Sequence, residues 1–198
     1  MKTYIILAFR SLVCTTFVAL GACAGGKAAS AGPAVVEPAA ERVSVSGLTV
    51  VRPGSAWTFV QPDASVAPHT LVILQGQAGD KLLAPVVEIS RRTLSAADQR
   101  RRTADILTTT AAELMQTFDG FEGVSAPADV QVAGRTGSRM EARYTEMLPD
   151  GPSVERVARI YAVRSGADLW LVRCLGPADK SADADFDAVV SGLQLQGS

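Results

Sequence analysis

The side chains that could do chemistry in this chain are few and widely separated. Across 198 residues there are three cysteines, Cys14, Cys23 and Cys174, and one histidine, His69. Histidine is the commonest metal ligand and the usual general base near neutral pH, so a single one leaves little room for either role. His69 stands between Pro68 and Thr70 in a polar, proline-punctuated stretch. A zinc site or a catalytic triad needs further His, Cys or carboxylate groups at set spacings. The chain has no H-x-x-x-H, C-x-x-C or G-x-S-x-G. His69 therefore reads as an exposed loop residue, and no catalytic residue, metal or cofactor is expected. The densest cluster of charge is made by Arg91, Arg92, Arg100, Arg101 and Arg102. Guanidinium forks match phosphate and carboxylate oxygens, so this run could face lipid phosphates or an acidic partner. The plainer reading is a solvated face paired locally, for example with Asp98 or Asp105. Cations near a helix N-terminus are mildly unfavourable, which makes the run unusual if a helix begins there.

Cys174 alternates in phase with Trp170 and Val172 inside an apolar run. A reactive thiol needs an electropositive, partly exposed setting. Arg173 is adjacent in sequence but points to the other side of a strand. Cys174 is expected to be a buried, inert residue. Trp57 and Trp170 also lie in apolar strand patterns and read as core anchors. Gly76, Gly79 and Asp80 mark a turn, and no glycine-rich loop has phosphate-cradling spacing.

Composition narrows the classes further. Hydrophobic residues make up 47% and charged residues 20%, with 19 basic against 20 acidic side chains. Binding to nucleic acid draws on a positive surplus that releases counterions from phosphates, so no nucleic-acid partner is expected. The length suits one folded domain.

Cys23 gains meaning from what precedes it. Met1-Lys2-Thr3 is a short basic start, and an apolar stretch runs from Tyr4 to Leu20, interrupted by Arg10. A basic region, an apolar region and small residues before a cut describe a secretory signal. Leu20-Gly21-Ala22-Cys23 resembles the bacterial lipobox. That resemblance implies a thioether-linked diacylglycerol on Cys23, cleavage in front of it, and acylation of the new N-terminus. An ordinary signal peptide or an uncleaved transmembrane anchor are the other readings. Arg10 weighs against the anchor, because a charge at mid-membrane depth costs about 2.5–3.5 kcal/mol. With Arg10 counted in the basic region, Ser11–Leu20 is an apolar region of suitable length. Ala24 rather than Asp follows the cysteine, which by resemblance to enteric lipoproteins leans towards the outer membrane. Residues 1–22 are thus read as a lipoprotein signal and 23–42 as the lipidated cysteine with a spacer. The spacer is rich in Ala, Gly, Pro and Ser and buries too little to offset its ordering entropy.

Residues 43–198 carry the elements. Val43–Val45, Leu48–Val51, Trp57–Val60, Leu71–Leu74 and Val86–Ile89 read as strands. Ser95-Ala96-Ala97-Asp98 fits a helix-opening signature, and Leu107, Ala111, Leu114 and Phe118 form a stripe ending at Gly120. Met140, Ala142 and Tyr144 alternate with Arg139, Glu141 and Arg143, the mark of a half-buried strand. Val154–Val163 and Leu169–Leu175 follow as hairpin-linked strands, with turns at Asp150-Gly151 and Ser165–Asp168. Asp183, Asp185 and Asp187 then open a second helix with a stripe at Phe186, Val189, Val190 and Leu193. An antiparallel β-sheet flanked by helices is an α+β layer fold.

This order, with Pro53, Trp57, Gly134, Tyr161 and Trp170 as anchors, resembles the PsbP/Mog-like α/β/α sandwich. Within that group it is most similar to the DcrB-like bacterial lipoproteins. The resemblance covers about Val43 to Leu195. It implies an accessory or docking role and supplies no catalytic residues. The expected function is a membrane-anchored envelope lipoprotein with a non-catalytic protein-docking domain, facing the periplasm, whose protein partner the residues do not name. A periplasmic module for a small ligand or lipid is the alternative, and would require an apolar cleft between helix and sheet. A hydrolase is the third reading and lacks a visible nucleophile–base pair.

Overall fold

Alternation of apolar and polar side chains carries most of this domain into strands, and the strands pair antiparallel throughout. The computed structural model describes residues 40–78, 83–117, 120–123, 125–148 and 151–196. The signal, Cys23 and most of the spacer lie outside the described residues, as do Gly79, Asp80, Phe118 and Asp150. The expected strands are found as β1 (Arg42–Val45), β2 (Leu48–Val51), β3 (Trp57–Val60), β4 (Thr70–Gly76) and β5 (Val86–Thr93). After helix α1 (Thr103–Thr117) come β6 (Glu122–Gly123), β7 (Ala128–Val132), β8 (Arg135–Met147), β9 (Ser153–Ser165) and β10 (Asp168–Pro177). Helix α2 (Asp183–Gly192) and β11 (Gln194–Leu195) complete it.

The main sheet runs β3-β4-β5-β10-β9-β8, with β6 and β7 both pairing with β8. The hairpins β8–β9–β10 fold back so that β10 closes against β5, far away in sequence. A separate three-stranded sheet joins β1, β2 and β11. Two positive-φ pairs make the tight turns. Ser46-Gly47 links β1 to β2, and Ala133-Gly134 links β7 to β8. Two residues with φ above zero give a hairpin turn whose twist matches its strands, which explains the Val132-Ala133-Gly134 anchor.

Each face of the main sheet has its own core. Leu169 and, partly buried, Leu171 and Leu175 join Ile160, Ala162, Met140, Ala142 and Tyr144 beneath Ile106 and Leu107 of α1. Trp170, Val172 and Cys174 join Tyr161, Val163, Trp57 and Phe59 beneath Phe186 and Val189 of α2. Val43, Leu48 and Val50 of the small sheet pack into this second core. The fold is therefore α+β, as expected. Trp57 anchors it at two points: its Nε1–H donates to Asp185 Oδ2 at 2.8 Å, and its ring meets Phe186 edge-on at 6.1 Å.

The start of the long helix departs from expectation. The Ser95–Asp98 signature does form: Ser95 Oγ accepts the Asp98 N–H at 3.1 Å and bonds its carboxylate at 2.8 Å. It caps only a 3₁₀ turn, Asp98–Arg100, after which Arg101 turns extended (φ −82°, ψ 152°). The α-helix begins at Thr103, whose hydroxyl meets the fully buried Ser138 hydroxyl at 2.7 Å. Ala40, just before β1, packs on the core.

Strand β8 lies so close to β9 that one position tolerates no side chain. A Cβ on Gly137 would stand 2.4 Å from the Ala162 carbonyl oxygen and 3.2 Å from Val163 Cβ. Gly137→Ala is expected to cost about 3 kcal/mol of stability. Gly123→Ala, with nothing within 4 Å, should stay within about 0.5 kcal/mol. Urea unfolding of both variants checks the contrast, and equal costs would refute it.

Candidate functional site

The arginines gather where β5, β9 and β10 end together. Because β5 continues to Thr93, Arg91 and Arg92 belong to the sheet rather than to the approach to a helix, and they face opposite sides. Arg91 pairs with Trp170 across the strands. Its guanidinium lies 5.5 Å over the Trp170 ring, contacts Asp168 Oδ2 at 2.7 Å and donates to the Ser46 carbonyl at 3.1 Å. Hydrogen bonds from Thr93 and Arg91 hold the Asp168 carboxyl below its ordinary range. Arg91 borders an open groove of about 640 Å³, shared with Ser46, Pro68, His69, Leu71, Arg92 and Thr93. His69 is exposed there, and its carbonyl accepts the Arg91 N–H at 3.0 Å.

On the α1 face the geometry is different. Leu169 is the register partner of both Arg92 and Arg164, so the two arginines flank it on one face. Segment 94–102 lies against this end of the sheet. The Leu94 N–H donates to Ala167 O at 2.8 Å, Gln99 Nε2 to Leu94 O at 3.0 Å, and Arg164 Nη1 to Gln99 O at 2.6 Å. Arg101 is fully engaged by Asp98 (3.1 Å), the Asp105 carbonyl (2.9 Å) and Thr109 Oγ1 (2.6 Å). Arg102 reaches Asp129 only at 3.9 Å with both side chains exposed, a pair worth about 0–1 kcal/mol. Arg92, Arg100 and Arg164 make no ion pair among the described residues. The five arginines singled out by spacing thus do not form one surface. Arg164 joins them instead, and its signal was present: it falls in phase with Ile160 and Ala162 at the end of an otherwise apolar face.

Sequence reasoning also missed a charge network under α2. Arg159, 8% exposed, contacts Glu141 at 3.7 Å, Asp187 at 3.3 Å and Asp183. Lys180 reaches Glu141 at 2.9 Å. The hydrogen bond from Lys180, then the Lys180 and Arg159 charges, hold the Glu141 carboxyl below its ordinary value. The acidic start of α2 therefore bonds the helix to the sheet besides suiting its dipole. Cys174 is completely buried, and burial pushes its thiol far up from the usual range. No three His, Cys, Asp or Glu gather as metal ligands among the described residues.

The cleft between α1 and the sheet, bounded by Leu114, Phe121, Tyr144, Ile160 and Leu175, holds a cavity of about 20 Å³. That is room for one water, far below the 300–1,000 Å³ or so of ligand pockets.

No family model and no curated protein matches the chain. Solved structures do. One is the solution structure of cyanobacterial PsbP (CyanoP) from Synechocystis sp. PCC 6803, with a TM-score of 0.57 and 15% identity, covering 86% of this chain and 98% of that one. Another is the crystal structure of LpqN, involved in cell envelope biogenesis of Mycobacterium tuberculosis, with a TM-score of 0.52 and 17% identity, covering 78% and 89%. The fold is PsbP-like, as the element order implied. Neither structure singles out the DcrB-like group.

Proposed function

We propose that this chain is a non-catalytic accessory lipoprotein of the bacterial cell envelope. In this reading lipid on Cys23 holds it at a membrane, the outer one by the residue that follows, and its domain docks onto another envelope protein. The closed interior carries the reading: both cores are filled, and the apolar cleft between α1 and the sheet holds about 20 Å³. A domain with no ligand-sized apolar cavity and no nucleophile–base pair among its described residues has its surface to work with. The likeness to LpqN, a protein of envelope biogenesis, supports the compartment.

Crosslinking in intact cells tests it, with Cys23→Ala as the untethered control. The expected result is one abundant envelope protein recovered with the native chain and recovered several-fold less with the control. A co-purifying lipid or metabolite without a protein partner would overturn docking and favour the ligand-binding alternative.

A further inference from the structure

We infer that the domain meets its membrane with one end, made by the tip of the β8–β9 hairpin and the last turn of α1, and that Met147 and Met115 are the side chains that touch lipid. This rests on the lipoprotein reading and adds to it which surface faces the bilayer. Three large apolar side chains stand strongly exposed among the described residues: Val66 (55%), Met115 (60%) and Met147 (69%). Single exposed apolar residues are ordinary on a protein surface, so the weight lies in where the two methionines stand.

They stand at the end of the sheet where the chain enters the domain. The Glu41 carbonyl accepts the Arg52 N–H at 2.8 Å, and Arg52 Nη1 donates to Trp57 O at 3.1 Å. Trp57 opens β3 opposite Gly76, the last residue of β4. Beside that pair, Gln75, Val86, Leu175, Ala158 and Ala142 form one row across the strands. Past the row, β8 runs on to Met147, which pairs with Ser153 near the hairpin tip. Helix α1 starts at the other end, where Thr103 meets Ser138. It comes down to this one, where a Cβ on Gly120 would lie 2.9 Å from Thr145 Oγ1. Met115 is in its last turn. Val66, in the link from β3 to β4, shares the opposite end with Ser46, His69 and Arg91.

The chemistry of the tip suits a lipid surface. Its charges are spent on one another: Arg143 contacts Glu155 at 3.4 Å, and Arg156 contacts Glu146 at 3.5 Å. Leu114, Leu148 and Leu175 are half-buried at the same end. Methionine is flexible and polarizable and adapts to an irregular apolar contact. Interfacial binding grows with the apolar area it buries. Residues 23–39 number 17. That many residues span about 23 Å as a coil, less than the width of about 40 Å of a domain this size. A lipid on Cys23 therefore keeps the entry end nearer to the bilayer than the arginine-rich end.

Methionine methyl resonances test it. The full chain, purified from cells with ¹³C-methyl methionine, is placed in phosphatidylcholine nanodiscs that carry a gadolinium-chelating headgroup. The gadolinium broadens nearby methyls. Met115 and Met147 are expected to broaden several-fold more than Met140, which is buried and about 24 Å up β8 from Met147. They should also exceed a reporter at the far end, Val66→Met. Because the contact is apolar, adding phosphatidylglycerol or salt should change neither. Met147→Asp should reduce the broadening of Met115 several-fold with a near-native melting temperature, since the side chain is exposed. Equal broadening at Met115, Met147 and Val66→Met, or Met147→Asp without effect on Met115, would overturn the inference. Strongest broadening at Val66→Met would overturn it too, and its loss in high salt would assign the arginine-rich end to the membrane. Mass spectrometry of the same sample counts the acyl chains. A chain without them would refute the lipoprotein reading alone; its Cys14→Ala form, coupled through Cys23 to a maleimide-linked diacyl lipid, then gives the orientation.

Discussion

Arg159→Met is expected to lower the unfolding free energy at neutral pH by about 3 kcal/mol. The guanidinium is 8% exposed and sits among Glu141, Asp183 and Asp187. Methionine fills comparable space but leaves these carboxylates facing one another with only Lys180 to offset them. Losing one partner of a buried ionic group costs far more than the group contributes over an apolar replacement. Asp187 is 66% exposed, and water screens part of the loss, which keeps the value at the low end. The cost should fall with pH. Glu141 is held below its ordinary 4.5, first by Lys180 and then by Arg159. A carboxyl depressed in the folded state contributes stability above its unfolded pKa and loses it as pH falls through the folded value. Urea unfolding at pH 7 and at about pH 3.5 should therefore show the native chain losing more stability on acidification than the variant. A cost below 1 kcal/mol at pH 7, or the same cost at both pH values, would show that α2 does not depend on this network.

Contacts that repeat along the chain were the ones sequence could reveal. Met140, Ala142 and Tyr144, and Leu169 to Leu175, bury at a period of two because a strand offers alternate side chains to its two faces. The α2 stripe and the short turns are equally local. What failed to show had a local look-alike or no local trace at all. The Ser95–Asp98 box is the same chemistry in a 3₁₀ turn as in an α-helix, so it could not place the helix start at Thr103. The pairing of β10 with β5 and the two-residue β11 that closes the small sheet depend on segments far apart.

The charged residues show the same limit more sharply. Arg156 and Arg159 lie in a strand whose bounds were all that the sequence marked, and they are 2% and 8% exposed. The two Nη groups of Arg156 donate to the Leu83 and Ala84 carbonyls, more than seventy residues away. The five arginines close in sequence were visible because they are adjacent, and the sheet then sent Arg91 and Arg92 to opposite faces. Arg92 and Arg164 become neighbours only through Leu169 of the strand between them. Neighbours made by register across three strands have no spacing that a linear reading can find.

Cys23→Ala is expected to abolish incorporation of an alkyne-tagged palmitate and to leave the chain unprocessed, longer by residues 1–22. The specificity of this outcome follows from the other two thiols. Cys14 lies within the stretch read as the signal and would leave with it. Cys174 is completely buried, and burial raises its thiol pKa, so it offers neither access nor a thiolate. Cys14→Ala and Cys174→Ala should both retain the label. The effect on location should be near all-or-none. Each buried methylene contributes about 0.8 kcal/mol, and a single fourteen-carbon chain gives only marginal binding, so stable attachment needs the two or three chains that lipidation of Cys23 would supply. No helix among the described residues is long and apolar enough to cross a membrane. Label persisting in Cys23→Ala would place the acyl group elsewhere. An unlabelled native chain released in soluble form would identify an ordinary secretory signal, and would leave the domain to find its partner by diffusion rather than along a membrane surface.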